Sequence, residues 1–213
     1  MQIIPAILEK KFEVAEEKVR LVKGLSKWIQ VDVVDGKFDF GKTFELELLT
    51  TMETETESTL WDIHLMVEEP KNWIGKCNFV GAMRVTGQVE KMVNKDDFVN
   101  SVKDFGLEAG LAFDIDTEIK DIPQETDLVL LLGRKAGFES KPMDKKIYQR
   151  IEELKKIKEG GDFRFLIGID GGVNETNIKK IKESGVDIVY CTGAIFNGKV
   201  EDNLEKLKYA SEN

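Results

Sequence analysis

Eight short apolar runs punctuate the chain, at residues 3–8, 28–34, 60–67, 82–86, 110–113, 128–132, 165–169 and 188–191, and none alternates apolar with polar. A strand with one wet face shows that alternation. Continuous Val, Ile and Leu runs are instead strands covered on both faces, as in a parallel sheet. Charged stretches with helical spacing lie between them, clearest at 12–24, 95–105, 144–159, 175–184 and 201–210, with Gly24, Gly106, Gly160 and Gly185 as expected helix ends. Parallel strands need crossovers, which leaves a closed eight-stranded barrel or an open doubly wound sheet. About eight strand–helix units in 213 residues suit the α/β class and a (β/α)₈ barrel, which commonly takes roughly 200 to 250 residues. The turn after the first run, Pro5 to Lys10, lacks the glycines by which an open sheet marks a nucleotide site. A single domain over 1–213 is expected, with no linker.

The function classes this excludes follow from charge and hydropathy. A net charge of −9 opposes a broad contact with nucleic acid, although local basic residues can hold one phosphate. Cys77 and Cys191 are far apart, so neither a disulfide framework nor a metal knuckle is expected. No apolar run is long enough to span a membrane, and residues 1–8 are too short for a signal peptide, so a cytoplasmic protein is expected. The run Glu53-Thr54-Glu55-Thr56-Glu57 is expected to be a solvated surface segment.

In a barrel, polar residues at the C-terminal ends of strands face the mouth, where function concentrates. The second strand places Gln30, Asp32 and Val34 on one side, and the third places His64 and Met66 on one side. His64 is the only histidine. Alone such a residue is more often a hydrogen-bonded core histidine than a ligand, and Asp32 alone reads equally as a loop-organising carboxylate. The seventh strand runs through Asp170 into Gly171-Gly172-Val173-Asn174, a glycine turn expected to open a helix and to offer backbone N–H groups to an anion. Thr192-Gly193-Ala194 after the eighth strand offers a second, matching the habit of barrels to hold phosphate after strands seven and eight. Two tight turns without a ligand remain the alternative.

Six strings together are specific: Val31-Asp32-Val33-Val34-Asp35-Gly36, Asp62-Ile63-His64-Leu65-Met66-Val67 with Pro70, Gly110-Leu111-Ala112, Ala136-Gly137-Phe138, Asp170-Gly171-Gly172-Val173-Asn174 and Gly193-Ala194-Ile195-Phe196. In this order and spacing the chain resembles the ribulose-phosphate 3-epimerase family over nearly its whole length. The resemblance implies a TIM barrel of the ribulose-phosphate-binding type. It implies an isomerase of carbohydrate metabolism in the pentose phosphate pathway, interconverting ribulose 5-phosphate and xylulose 5-phosphate through an enediolate. Asp32 and Asp170 match the family's two catalytic aspartates, which also ligate a divalent metal ion (Zn, Mn, Fe or Mg), and His64 matches a metal ligand. Met66 matches a residue lining the pocket. Gly137, Gly171, Gly172, Thr192 and Gly193 fall at the substrate and phosphate end.

The chain also departs from the family pattern. Gln30 stands where another metal-binding histidine is usual, Gln88 where a histidine is common, and Ala6 where a serine is expected. An amide oxygen is a weaker partner than imidazole for zinc-like ions and tolerable for Mg²⁺ or Mn²⁺, so Gln30 is kept as a candidate ligand. The sixth-strand loop, Gly133 to Lys141, keeps Gly-Phe but lacks the glycine pair and glutamine that follow it in the family. Arg134 and Lys135 there are either phosphate-binding or solvent-facing charges. Asp114 replaces a typical asparagine, and Val34 replaces a methionine.

The expected partner is a small sugar phosphate. Barrel enzymes often assemble, so a homo-oligomer is compatible, although no residue specifies its interface. A non-catalytic phosphosugar-binding barrel and an epimerase or isomerase of another ketose phosphate are the alternatives. A decarboxylase or aldolase is disfavoured, because no Asp-x-Lys-x-x-Asp signature surrounds Asp32 and no strand lysine suits a Schiff base.

Overall fold

The computed structural model describes residues 1–52, 59–137 and 141–213. Eight parallel strands close into a barrel in chain order: β1 (Gln2–Ile7), β2 (Trp28–Val34), β3 (Leu60–Met66), β4 (Ala82–Gln88), β5 (Glu108–Phe113), β6 (Leu128–Leu132), β7 (Leu166–Asp170) and β8 (Ile188–Cys191), with β8 pairing back to β1. The closed sheet decides against the open doubly wound alternative. The acidic run at 53–57 lies outside the described residues.

The continuous apolar runs have the expected cause. Every strand but β4 and β7 supplies two apolar cores at once. Outward residues such as Val31, Val33, Ile63 and Leu65 pack under the helices, whereas inward Ile4, Val34, Met66, Leu130 and Tyr190 fill the lumen. Residue period two therefore splits one apolar run between two buried faces.

Five of the helices fall on the charged stretches: α1 (Phe12–Val22), α3 (Lys95–Asp104), α4 (Ile147–Gly160), α5 (Ile178–Glu183) and α7 (Val200–Glu212). One short helix was not expected, α2 (Ile74–Phe79), while the short α6 (Gly193–Phe196) opens at the glycine turn after β8. Gly24, Gly106 and Gly185 follow helices with positive φ, and Gly160 ends α4 as its last helical residue, the positive φ there falling at Asp162. The Gly171-Gly172 turn does not open a helix directly. Asn174 first organises the chain, its carboxamide oxygen accepting from the Thr176 N–H, and α5 begins only at Ile178. Residues 114–127, between β5 and β6, hold no helix, and buried Ile115 and Ile119 cover the barrel there instead.

Candidate active site

The inward face of β2 carries Gln30 and Asp32, that of β3 carries His64, and β7 ends on Asp170, so the expected trio meets at the mouth. Strand register puts Asp32 beside His64. His64 Nδ1 lies 2.9 Å from Asp32 Oδ1 and 4.0 Å from Asp170 Oδ2. The Gln30 amide donates to both carboxylates, at 2.9 Å to Asp32 Oδ1 and 3.1 Å to Asp170 Oδ2. On the far side of the imidazole, Nε2 lies 3.1 Å from Gln88 Oε1.

The electrostatics follow from crowding these groups in a buried place. Burial by itself lowers the His64 pKa, but the hydrogen bond and charge of Asp32, and then the charge of Asp170, reverse this and raise it to about 9. Both ring nitrogens then carry protons, as their two acceptors require. Burial and the Asp32 charge push Asp170 up to about 6, against the pull of His64, Gln30 and Arg134. Asp170 therefore gives up its proton at about pH 6, well above the usual carboxylate range.

The same residues fit a divalent cation. One ligand atom each from Asp32, His64 and Asp170 lies within 4.8 Å of the others. With Gln88 accepting from Nε2, the neutral imidazole has its lone pair on Nδ1, facing both carboxylates, which is how a metal-bound histidine is usually oriented. Gln30 Oε1 is buried without a hydrogen-bond partner. Turned end for end, the amide would put that oxygen among the carboxylates, where it repels without a cation and ligates with one.

Next to this group a cavity of about 510 Å³ is lined by Asp170, Gly171, Gly172, Thr192, Gly193 and Arg134 among others. The candidate phosphate residues on β7 and β8 are therefore brought together with one catalytic candidate. Gly171 and Gly172 have φ of +95° and +81°, and a Cβ at Gly172 would meet Met143 N at 2.6 Å. Only glycine suits that bend. Arg134 lines the cavity while Lys135 is exposed and does not, which separates the two charges. A slightly larger cavity, about 570 Å³, sits at the opposite end of the barrel around Glu108, Asp127 and Arg164, away from the carboxylates.

Met66 is buried in the lumen with Val34. Gly137 lies against Asp39 of the loop after β2, where a Cβ would displace the Asp39 carboxylate, and Phe138 lies outside the described residues. Asp114 is not in the carboxylate group; its oxygens accept from the Ile115 and Ala136 N–H groups, tying β5 to the loop after β6. Sequence reasoning missed Glu90, which accepts from the Gln88 amide at 2.8 Å. Its signal was the spacing Gln88-Val89-Glu90 at the end of a strand.

The model of the Ribulose-phosphate 3 epimerase family matches residues 2–196. The chain belongs to the ribulose-phosphate 3-epimerase family. That makes it an enzyme of the isomerase class. Within the family it is similar to the ribulose-phosphate 3-epimerase of Aquifex aeolicus, 28% identical over 97% of this chain and 95% of the relative. It is 27% identical to that of Mycobacterium bovis over 91% of this chain and 85% of the relative. Among solved structures, phosphoribosyl anthranilate isomerase from Thermus thermophilus matches with a TM-score of 0.69 at 12% identity, covering 99% of this chain and 98% of that one. At that identity the likeness bears on the barrel alone. Among the described residues, no helix is long and apolar enough to cross a membrane.

Proposed function

We infer that the chain epimerises C3 of a pentulose 5-phosphate, interconverting ribulose 5-phosphate and xylulose 5-phosphate. The observation that carries this reading is the convergence of Asp32 and Asp170 on one Gln30 amide, with His64 between them. Inversion beside a carbonyl needs a base on one face of the carbon and an acid on the other. One carboxylate takes the C3 proton, the C–H electrons pass into the adjacent carbonyl as an enediolate, and the other carboxyl group returns a proton to the opposite face. The two groups end with their protonation states exchanged. A pKa raised to about 6 suits Asp170 to both taking up and giving back a proton near neutrality.

A divalent cation held by Asp32, His64, Asp170 and the turned Gln30 amide would supply positive charge for the enediolate oxygens. Three oxygens and one nitrogen make a harder donor set than one with a second imidazole, which suits Mg²⁺ or Mn²⁺ as well as Zn²⁺ or Fe²⁺. Gly171, Gly172, Thr192, Gly193 and Arg134 hold the phosphate, and Met66 with Val34 shields the intermediate from water. Domain unity over residues 1–213 accords with a barrel that uses the first and last strands as neighbours.

The test is NMR of ribulose 5-phosphate with metal-reconstituted protein in D₂O. Xylulose 5-phosphate with deuterium at C3 is expected. Folded protein giving neither product nor exchange with any of the four metals would overturn the reading. One observation favours a binding-only barrel instead, namely that Gln30 N–H occupies both carboxylates. For that reading, calorimetry would detect sugar-phosphate binding without turnover.

A further inference from the structure

His64 can serve a cation at Nδ1 only if its proton stays on Nε2. The atom facing Nε2 belongs to Gln88, and a glutamine amide presents either an acceptor oxygen or a donor nitrogen depending on which way it is turned. If nitrogen faced His64, Nε2 would have to accept, and the proton would sit on Nδ1, pointing at Asp32 where a ligand lone pair is needed. Something outside the imidazole has to choose.

The choice is made two residues further along the chain. Glu90 Oε2 accepts from Gln88 Nε2 at 2.8 Å, and its other oxygen, Oε1, accepts from the Asp114 backbone N–H at 2.8 Å. An ionised carboxylate only accepts. The end of Gln88 that meets Glu90 must therefore be the nitrogen, so the end that meets His64 must be the oxygen, at 3.1 Å from Nε2. Glu90 is exposed at the rim and the Asp114 N–H fixes its orientation, whereas Gln88 is fully buried. We propose that Glu90 is a positioning residue that sets the His64 tautomer through Gln88, so that Nδ1 is directed at the Asp32–Asp170 pair. This rests on the reading that a cation is held there. It extends that reading to two residues that do not themselves ligate.

The pair Gln88 and Glu90 makes a sharper prediction than a structural contact would. Exchanging the two side chains, Gln88→Glu with Glu90→Gln, reverses donor and acceptor between them and still presents His64 with an oxygen. Glu90→Gln alone allows the Gln88 amide to turn. Because His64 is the only histidine, ¹⁵N-histidine labelling gives imidazole signals from one residue.

The experiment records those signals in the full-length protein without metal and with Zn²⁺, together with Zn²⁺ affinity by calorimetry. Wild type should show a proton coupled to Nε2 in both states and a metal-bound Nδ1 in the second. Glu90→Gln should lose the protected Nε2 proton and bind Zn²⁺ about tenfold or more weakly, the usual effect of removing a partner behind a metal ligand. The exchanged pair should restore both. A Glu90→Gln protein with the wild-type signal and affinity overturns the proposal, as does an exchanged pair that restores neither. If wild type shows the Nε2 proton but binds no Zn²⁺, the cation reading fails, and the role of Glu90 is then decided by the Nε2 signal alone.

Discussion

His64 and Asp170 hold protons more tightly in the folded barrel than in an unfolded chain, and both shifts have the same sign for stability. His64 moves from 6.5 to about 9, so its contribution is full below the unfolded value and is lost as pH rises through about 9. Asp170 moves from 3.8 to about 6, so its contribution is present in acid and is lost as pH rises through about 6. Metal-free protein is therefore expected to melt at progressively lower temperature from pH 6.5 to 9.5, with a loss on the order of 3 kcal/mol carried by His64. A His64→Asn variant should lack that slope in thermal melts across the same range. Bound cation takes the place of the Nδ1 proton, so saturating metal should flatten the wild-type curve. His64→Ala should also lower bound-metal content, while Asp170→Asn should abolish deuterium exchange at C3 and leave the fold intact. Retained exchange in Asp170→Asn would remove its assigned role.

At the scale of elements, what was legible depended on whether one chain segment or two made the feature. The strands were legible because each buries both faces, and 28–34, 128–132 and 188–191 match observed elements end to end. The short helix Ile74–Phe79 was not, because six residues are too few to display a 3.6-residue period, and it owes its place to packing against β4 and the 3₁₀ turn at Pro70–Trp73. Asp32, His64 and Asp170 were legible through strand ends and the family strings. Their hydrogen bonds were not, since the Gln30 amide spans residues 140 apart in sequence to reach Asp170. The Gly171-Gly172 turn was legible as a turn, and so as a candidate anion site, whereas the Met143 backbone that makes glycine obligatory at 172 comes from the preceding loop. Gly172→Ala is expected to cost roughly 1–3 kcal/mol from the left-handed backbone and the 2.6 Å approach to Met143 N. Urea denaturation measures the first effect. Calorimetry with inorganic phosphate should show weaker binding as the turn shifts, and unchanged binding would argue that phosphate is held elsewhere.

Across the whole molecule the lumen is divided by chemistry. Its β5, β6 and β8 side is largely apolar, with Ala112, Leu128, Leu130, Leu132 and Ile188, while the polar side chains gather on β2 to β4. That polar side carries two separate groups. The upper one is the carboxylate site. The lower one is a buried ion pair in which Arg84 Nη1 donates to Asp62 Oδ2 at 3.0 Å, Tyr190 donates to the same oxygen at 2.5 Å, and the guanidinium lies 4.5 Å from the Trp28 ring centroid. Asp62 and His64 are one strand repeat apart, so the lower group forms the floor under the upper one. Breaking it from one side leaves the Asp62 charge with a single hydroxyl, and Arg84→Met is expected to cost about 3–5 kcal/mol in urea denaturation. Arg84 also donates to Glu108, whose half-exposed carboxylate can turn to water; replacing the buried members by apolar residues, Asp62→Leu with Arg84→Met and Tyr190→Phe, removes the uncompensated buried charge and should recover most of that loss. The two variants separate stability from chemistry. If the triple variant regains stability and still exchanges C3 hydrogen with solvent, the floor serves the fold alone. If it is stable but inactive, the ion pair also holds β3 in the register that aims His64 at the two aspartates. The single strand repeat between Asp62 and His64 favours the second outcome, with the loss expected in kcat rather than KM, because the turns after β7 and β8 proposed to hold the phosphate are left in place.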